Sequence, residues 1–95
     1  MGIIGDFPER GVRIAVERSR LGGPPWVYRG EAATAGAVRY PITAVVGEDG
    51  QVRVETPKDG PADLEARVRL VLRAAWKHAC ADGRPPPLRL ARWRP

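Results

Sequence analysis

The stretch that decides the fold is residues 61–82, PADLEARVRLVLRAAWKHACAD. Its apolar side chains recur at the spacing that places them on one side of an α-helix, namely Leu64, Val68, Val71, Leu72, Ala75 and Ala79. Pro61 suits a first helical turn, and Asp59 or Gly60 suits the cap before it. Gly83 suits the position just after the last turn. The pattern predicts one long amphipathic helix over Pro61–Asp82.

Upstream of this helix, stretches 12–17, 38–46 and 51–56 have apolar residues at every second position, the period that is typical of half-buried strands. Stretch 26–33 also predicts a strand, because it begins with the aromatic and β-branched residues Trp26, Val27 and Tyr28. Pro41 lies inside the third stretch. Because proline cannot donate a hydrogen bond to a strand ladder, we expect this strand to be at a sheet edge or bulged there. The pair Asp49-Gly50 before the fourth stretch favours a type I′ hairpin turn.

Downstream, residues 84–95 fit two alternatives that the sequence leaves open: an edge strand with Leu88 and Leu90 facing inward, or a basic tail. Short connections between the first four strands favour antiparallel pairing. The chain therefore predicts an α+β fold, with an antiparallel sheet of four to five strands in β-β-β-β-α-β order and the helix packed on one face. We expect residues 1–11 to form a flexible arm and residues 12–95 a single domain.

The sequence lacks the residue patterns of catalytic and metal sites. His78 and Cys80 are the only histidine and cysteine, and two positions apart on a helix they point in different directions. A metal site needs several converging ligands, and nucleophilic catalysis needs a base and an orienting group beside the nucleophile. Ser19 is the only serine, and no glycine-rich phosphate loop is present. We predict a protein that is not an enzyme and uses no metal and no cofactor.

The lone cysteine excludes an internal disulfide, and the N-terminal stretch MGIIGDFPERG has neither the basic region nor the apolar run of a signal peptide. No stretch approaches the ~20 apolar residues that a membrane helix needs. We therefore expect a cytoplasmic protein without a membrane partner.

The chain carries a formal net charge of +5, and most of its basic residues are arginine. A basic surface favours nucleic acid or an acidic protein as partner, although a GC-rich genome would also produce an arginine excess. Arginines interleaved with aromatic rings bind phosphates and bases; the alternative is a solvated basic face. The candidate nucleic-acid-binding residues are Arg69, Arg73 and Lys77 on the helix and Arg89, Arg92, Trp93 and Arg94 after it.

A second candidate surface lies on the helix side opposite the apolar stripe, where Ala66, Leu70 and Ala74 share a face. An exposed leucine among alanines is typical of a small partner or dimer patch, unless the arm or the C-terminal segment covers it. The sequence thus favours a small non-enzymatic binding domain that prefers nucleic acid. The alternative is a protein-interaction or homodimerisation module that uses the Leu70 face or a free sheet edge.

Overall fold

The computed structural model describes residues 11–20, 23–34 and 38–94, and the side chains of residues 93 and 94 are outside this description. The predicted arm, apart from Gly11, lies outside the described residues. In the described chain six elements follow one another: β1 (Val12–Arg18), β2 (Trp26–Thr34), β3 (Arg39–Val46), β4 (Val52–Glu55), α1 (Leu64–Ala81) and β5 (Arg89–Arg94). The predicted α+β fold in β-β-β-β-α-β order is confirmed.

The five strands form one sheet in the order β4-β3-β2-β1-β5. All four neighbouring pairs are antiparallel. After α1 the chain returns to the far side of β1, where Val12 pairs with Arg94 and Glu17 with Arg89. Residues 89–94 are therefore an edge strand rather than a tail, and Leu90 is buried as expected.

Pro41 does not mark an edge strand, because β3 lies between β2 and β4. The reason is the short length of β4, whose last residue, Glu55, pairs with Thr43. Pro41 lies beyond that point and pairs only with Glu31 of β2. The strand therefore has a free side at the proline, where a missing N–H costs no ladder hydrogen bond.

The helix begins at Leu64, three residues later than predicted, and its N-cap residue is Asp63 rather than Asp59 or Gly60. The Asp63 carboxylate makes no capping hydrogen bond to the backbone. It accepts a hydrogen bond from Nε of Arg67 at 2.6 Å instead, and this bond lowers the pKa of the Asp63 carboxyl. Side-chain pairing one turn apart thus replaces the usual cap.

The end of α1 matches the prediction for Gly83, which has a φ of 69° in the left-handed region. The N–H of Gly83 donates to the carbonyl of Cys80 at 3.0 Å, and the N–H of Arg84 donates to the carbonyl of Ala79 at 2.8 Å. These two bonds are the Schellman pattern, which satisfies the last carbonyls of a helix and needs a residue that tolerates positive φ.

The hairpin between β3 and β4 forms where predicted, but the type I′ assignment is wrong. The N–H of Gly50 donates to the carbonyl of Gly47 at 3.0 Å, which centres the turn on Glu48 and Asp49. The Asp49 carboxylate accepts the N–H of Gln51 at 3.1 Å, and Gly50 has a φ of 86°. This longer loop, with glycine in the left-handed region after the turn, is the other common way to join two antiparallel strands.

The core lies between α1 and one face of the sheet. Even-numbered strand residues face the helix, because side chains alternate along a strand. The core residues are Val12, Ile14, Val16, Tyr28, Ala32, Ile42, Ala44, Val46, Leu64, Val68, Val71, Leu72 and Leu90. The odd-numbered residues form the opposite face, which we call the open face, and most of them are half-buried or exposed. Ala33 is the buried exception.

Two polar side chains fasten the connection from α1 to β5 onto the sheet. The hydroxyl of Tyr28, whose ring is fully buried, donates to the carbonyl of Pro87. The guanidinium of Arg18 donates twice to the carbonyl of Pro86, from Nε at 3.0 Å and from Nη2 at 2.6 Å. Burial raises the pKa of the Tyr28 phenol, and hydrogen bonding and charge from Arg18 oppose this shift. These bonds hold the connection against β1 and β2, where β5 begins.

Candidate nucleic-acid interface

The fold separates the charged residues into two regions of different net charge. Residues 48–77, which include β4 and most of α1, contain six basic and six acidic residues, so their formal net charge is zero. Residues 11–47 and 78–94 together contain nine arginines and three acids, a formal net charge of +6. Half of this excess is on β5, and the rest comes from β1, from Arg20 just after β1 and from Arg39 of β3.

The predicted helix row lies in the neutral region, next to β4. Arg69 pairs with Glu65 one turn earlier, and its Nε also donates weakly to the carbonyl of Val52 at 3.4 Å. Arg73 and Lys77 are exposed. Because six acids share this region, the row does not produce a concentrated positive potential.

The predicted residues on β5 lie at the opposite edge of the sheet and divide between its two faces. Arg89 is on the open face, where its Nε is 3.4 Å from a carboxylate oxygen of Glu17 and its side chain is 87% exposed. Arg92 is on the helix side, opposite Ile14, and donates to the carbonyl of Ala91 at 2.9 Å. Trp93 and Arg94 pair with Arg13 and Val12 through the backbone. The structure thus does not bring the seven candidates into one surface.

Two arginines that are not among the predicted candidates, Arg20 and Arg29, lie beside Arg89. Glu17 of β1 has Arg29 as its partner on β2 and Arg89 as its partner on β5, so both arginines flank one acid in a single row. Arg20, just after β1, lines the same end of the sheet as Arg89. Arg20 and Arg29 make no ion pair or side-chain hydrogen bond within the described chain. Alternation alone predicts that Arg29 faces outward, but only the strand order places it near Arg89.

These residues form a shallow groove on the open face. Its floor is made by Ala15 and Ala91, which lie in the row next to Arg29, Glu17 and Arg89 and whose small side chains leave room beside the two arginines. We call this groove, with Arg20 at its end, the basic groove. Neighbouring strands lie about 4.8 Å apart, so the bases of the Arg29 and Arg89 side chains are about 10 Å apart across β1. Two guanidinium groups at this separation can contact one extended polyanion.

The helix side that carries the predicted partner patch is open in the described chain. Leu70 is 66% exposed, and Ala66 and Ala74 are exposed beside it. Trp76, by contrast, is half-buried and packs on the core and on Gly50. Of the two apolar side chains that flank the helix stripe, only Leu70 is therefore available to a partner.

The described residues contain no group of three or more His, Cys, Asp and Glu side chains that would hold a metal ion. Cys80 is exposed and free. None of the helical structure described is long and apolar enough to cross a membrane.

Comparison with known proteins gives no relative for this chain: no family model, no curated protein and no solved structure matches it. No relative therefore assigns a ligand to the basic groove. The observations that bear on its function are the charge and the geometry of its own residues.

Proposed function

We propose that this protein is a small, non-enzymatic cytoplasmic domain that binds nucleic acid through phosphate contacts at the basic groove. The observation that supports the proposal is the separation of charge, with a formal +6 on residues 11–47 and 78–94 and zero on residues 48–77. A polyanion is drawn to the side of the molecule that carries the excess charge, and it releases counterions when it binds there.

Arg29 and Arg89 are the principal phosphate-binding residues in this proposal. Both are exposed, and the guanidinium group presents several donors in a plane that matches phosphate oxygens. Arg20 extends the same surface. The groove floor is alanine and offers no side chain that could read a base. The arginines therefore contact the sugar-phosphate backbone of the nucleic acid and do not distinguish its base sequence. We therefore expect affinity that depends strongly on salt and weakly on base sequence.

Glu17 allows a test in which the affinity for nucleic acid should rise, because its carboxylate lies in the row between the two arginines. It repels phosphate and holds Arg89 at 3.4 Å. Glu17→Gln removes the charge with almost no change of shape. The proposal predicts tighter binding for this variant, whereas a role for Glu17 in folding alone predicts no gain.

The experiment measures binding of a fluorescent single-stranded oligonucleotide to the full chain at several salt concentrations. The variant Arg29→Glu/Arg89→Glu is compared with Arg53→Glu/Arg73→Glu, which changes the net charge equally on exposed residues of the neutral region. We expect the first variant to lose at least roughly tenfold in affinity, with the slope of log K against log salt smaller by about 1.4 for two lost contacts on a single strand. The second should lose less than about threefold. Equal losses, or affinity that salt does not change, would reject the proposal.

A second candidate function is homodimerisation through Ala66, Leu70 and Ala74, and the 66% exposure of Leu70 favours it. It ranks second because one leucine between two alanines is small beside the roughly 800 Å² per partner of a stable interface. Sedimentation equilibrium tests it directly. A dimer that Leu70→Ser converts to monomer would support the candidate, and a monomer at high concentration would remove it.

A further inference from the structure

The outer side of β5 is an unpaired sheet edge in the part of the chain that the structure describes. The N–H of Arg18 donates to the carbonyl of Leu88 at 2.9 Å. This bond shows which alternate residues of β5 are hydrogen-bonded to β1. Backbone groups alternate in an antiparallel ladder, so even-numbered residues of β5 bond to β1. Arg89, Ala91 and Trp93 therefore direct their N–H and C=O groups away from the sheet. Such a row pairs readily with another extended chain.

The two edges of the sheet are not equivalent. On β4, which has only four residues, the carbonyl of Val52 already accepts a hydrogen bond from Arg69 of α1. On β5, which has six residues, one outward carbonyl, that of Ala91, accepts a bond from the exposed side chain of Arg92. The Arg92 contact does not block this carbonyl, because a carbonyl oxygen accepts two hydrogen bonds and the exposed Arg92 side chain can move away. The β5 edge is thus the longer and more accessible one.

A groove of about 370 Å³ runs beside this edge, between β5 and the C-terminal half of α1. Most of its lining residues are apolar, and a few are basic. They include Ala75, Ala79, Pro85 and Pro87 together with His78 and Arg92. Side chains of an added strand alternate between the two faces of the sheet. Every second side chain of such a strand enters the groove, and the others lie beside Arg89 on the open face.

The positive charge around the β5 edge favours an acidic strand as its partner. Residues 83–94 contain four arginines and no acid. The nearest acids are engaged, because Asp82 pairs with Arg84 at 2.7 Å and Glu17 with Arg89 at 3.4 Å. A second copy of β5 would set three arginines against three, which opposes edge-to-edge self-association. An acidic strand meets complementary charge on both faces.

We propose that the β5 edge binds an extended acidic segment of a partner protein by strand addition. Backbone groups of Arg89, Ala91 and Trp93 supply the hydrogen bonds, and Arg92 and Arg89 contact acidic side chains on the two faces. This interaction shares Arg89 with the basic groove, but Arg92 and the outward backbone groups belong only to the strand edge, and Arg29 belongs only to the basic groove. The two proposals are therefore tested separately.

The test uses the full chain and a synthetic peptide of Val-Glu-Glu-Val repeats, which places valine and glutamate on both faces of an added strand. Binding is followed by the amide resonances of the protein and by their hydrogen exchange. We expect the N–H groups of Arg89, Ala91 and Trp93 to shift and to become protected. A peptide of the same sequence with methylated backbone nitrogens keeps the charge but loses the donors, and we expect it to bind at least tenfold more weakly, roughly the value of one to two hydrogen bonds.

Three variants make the result specific. Ala91→Pro removes an outward N–H that β1 does not use, and it should abolish protection at the edge. Arg92→Glu should weaken the peptide roughly tenfold, while Arg73→Glu, an equal charge change on the far side of α1, should not. Arg29→Glu should weaken the oligonucleotide and leave the peptide unaffected. If Ala91→Pro fails to fold, the comparison of Arg92→Glu with Arg73→Glu and the methylated peptide still test the proposal.

Several outcomes would overturn the inference. These are equal binding of the methylated peptide, shifts centred on Leu70 rather than on β5, and self-association that Ala91→Pro abolishes. An oligonucleotide that protects the three outward amides when the acidic peptide does not would assign the edge to nucleic acid instead.

Discussion

Replacing Gly50 with alanine should destabilise the protein far more than replacing Gly83, although both glycines have positive φ. At Gly50 φ is 86° and at Gly83 it is 69°. An alanine Cβ at position 50 would lie 2.6 Å from Cζ3, 2.7 Å from Cε3 and 2.8 Å from Cη2 of Trp76. At position 83, apart from the two flanking residues, no atom of the described chain lies within 4 Å of the same point. The two substitutions therefore share the backbone cost and differ in the steric one.

The magnitudes follow from these two contributions. An L-residue in the left-handed region costs about 1–2 kcal/mol, which applies at both positions. The gain from a stiffer unfolded chain is common to both, so it cancels in the comparison. Displacing the half-buried Trp76 ring adds the cost of overpacking, about 1–3 kcal/mol. We expect Gly83→Ala to cost about 1 kcal/mol and Gly50→Ala about 2–4 kcal/mol.

Urea unfolding followed by circular dichroism measures both costs without relying on the fluorescence of a particular tryptophan. The control is Gly50→Ala in a Trp76→Leu background, where the smaller side chain removes the steric part. There the cost should fall to that of Gly83→Ala, since coupling between contacting residues appears as non-additivity. A cost at Gly50 no larger than at Gly83, or one unchanged by Trp76→Leu, would refute the packing of Trp76 on the hairpin.

Three further predictions concern the sheet and the helix. Gly30→Ala should cost about 3 kcal/mol or prevent folding in a thermal melt, because its Cβ would lie 1.9 Å from the Ala15 carbonyl oxygen, a backbone atom that cannot move aside. Burial raises the pKa of Tyr28 above its ordinary 10.0, so the unfolded chain loses this proton first and the free energy of unfolding should fall as pH rises beyond 10.0. Urea unfolding of Tyr28→Phe should show a smaller decline and a cost of about 1–3 kcal/mol at neutral pH; an unchanged decline would contradict the burial of the phenol. Leu72→Ala, at 1% exposure, should cost about 2–5 kcal/mol in urea unfolding, whereas Leu70→Ala, at 66%, should change stability by less than about 0.5 kcal/mol; a large loss at Leu70 would mean that this face is covered.

Local features were predictable because they depend on neighbours along the chain. The face of each strand and the stripe of α1 follow from periods of two and 3.6 residues, and Leu64, Val68 and Leu72 are buried as that spacing requires. Gly83 ends the helix for a reason intrinsic to glycine. The start of the helix was misplaced because Asp63 and Arg67 pair through side chains, a choice that cap propensities do not contain.

The candidate site was predicted only in part. The basic segment after the helix predicts Arg89 and Arg92, and the spacing of four residues predicts the helix row. Spacing says nothing about the charges that other segments bring nearby, and six acids neutralise the row in the fold. Arg29 was missed because its proximity to Arg89 depends on two strand pairings, each to β1.

The sequence by itself determined the first four strands and the helix to within a few residues, which of their side chains face the core, and that the chain is strongly basic. The tertiary structure alone decided that residues 89–94 form a strand beside β1, that Pro41 lies on a locally free side of an internal strand, and where the excess charge is concentrated. The physical reason is that strand neighbours are chosen by hydrogen bonds between distant segments, such as Val12 and Arg94. A period specifies the face of a strand but not the identity of its neighbour. Both the basic groove and the free β5 edge result from that choice of neighbours.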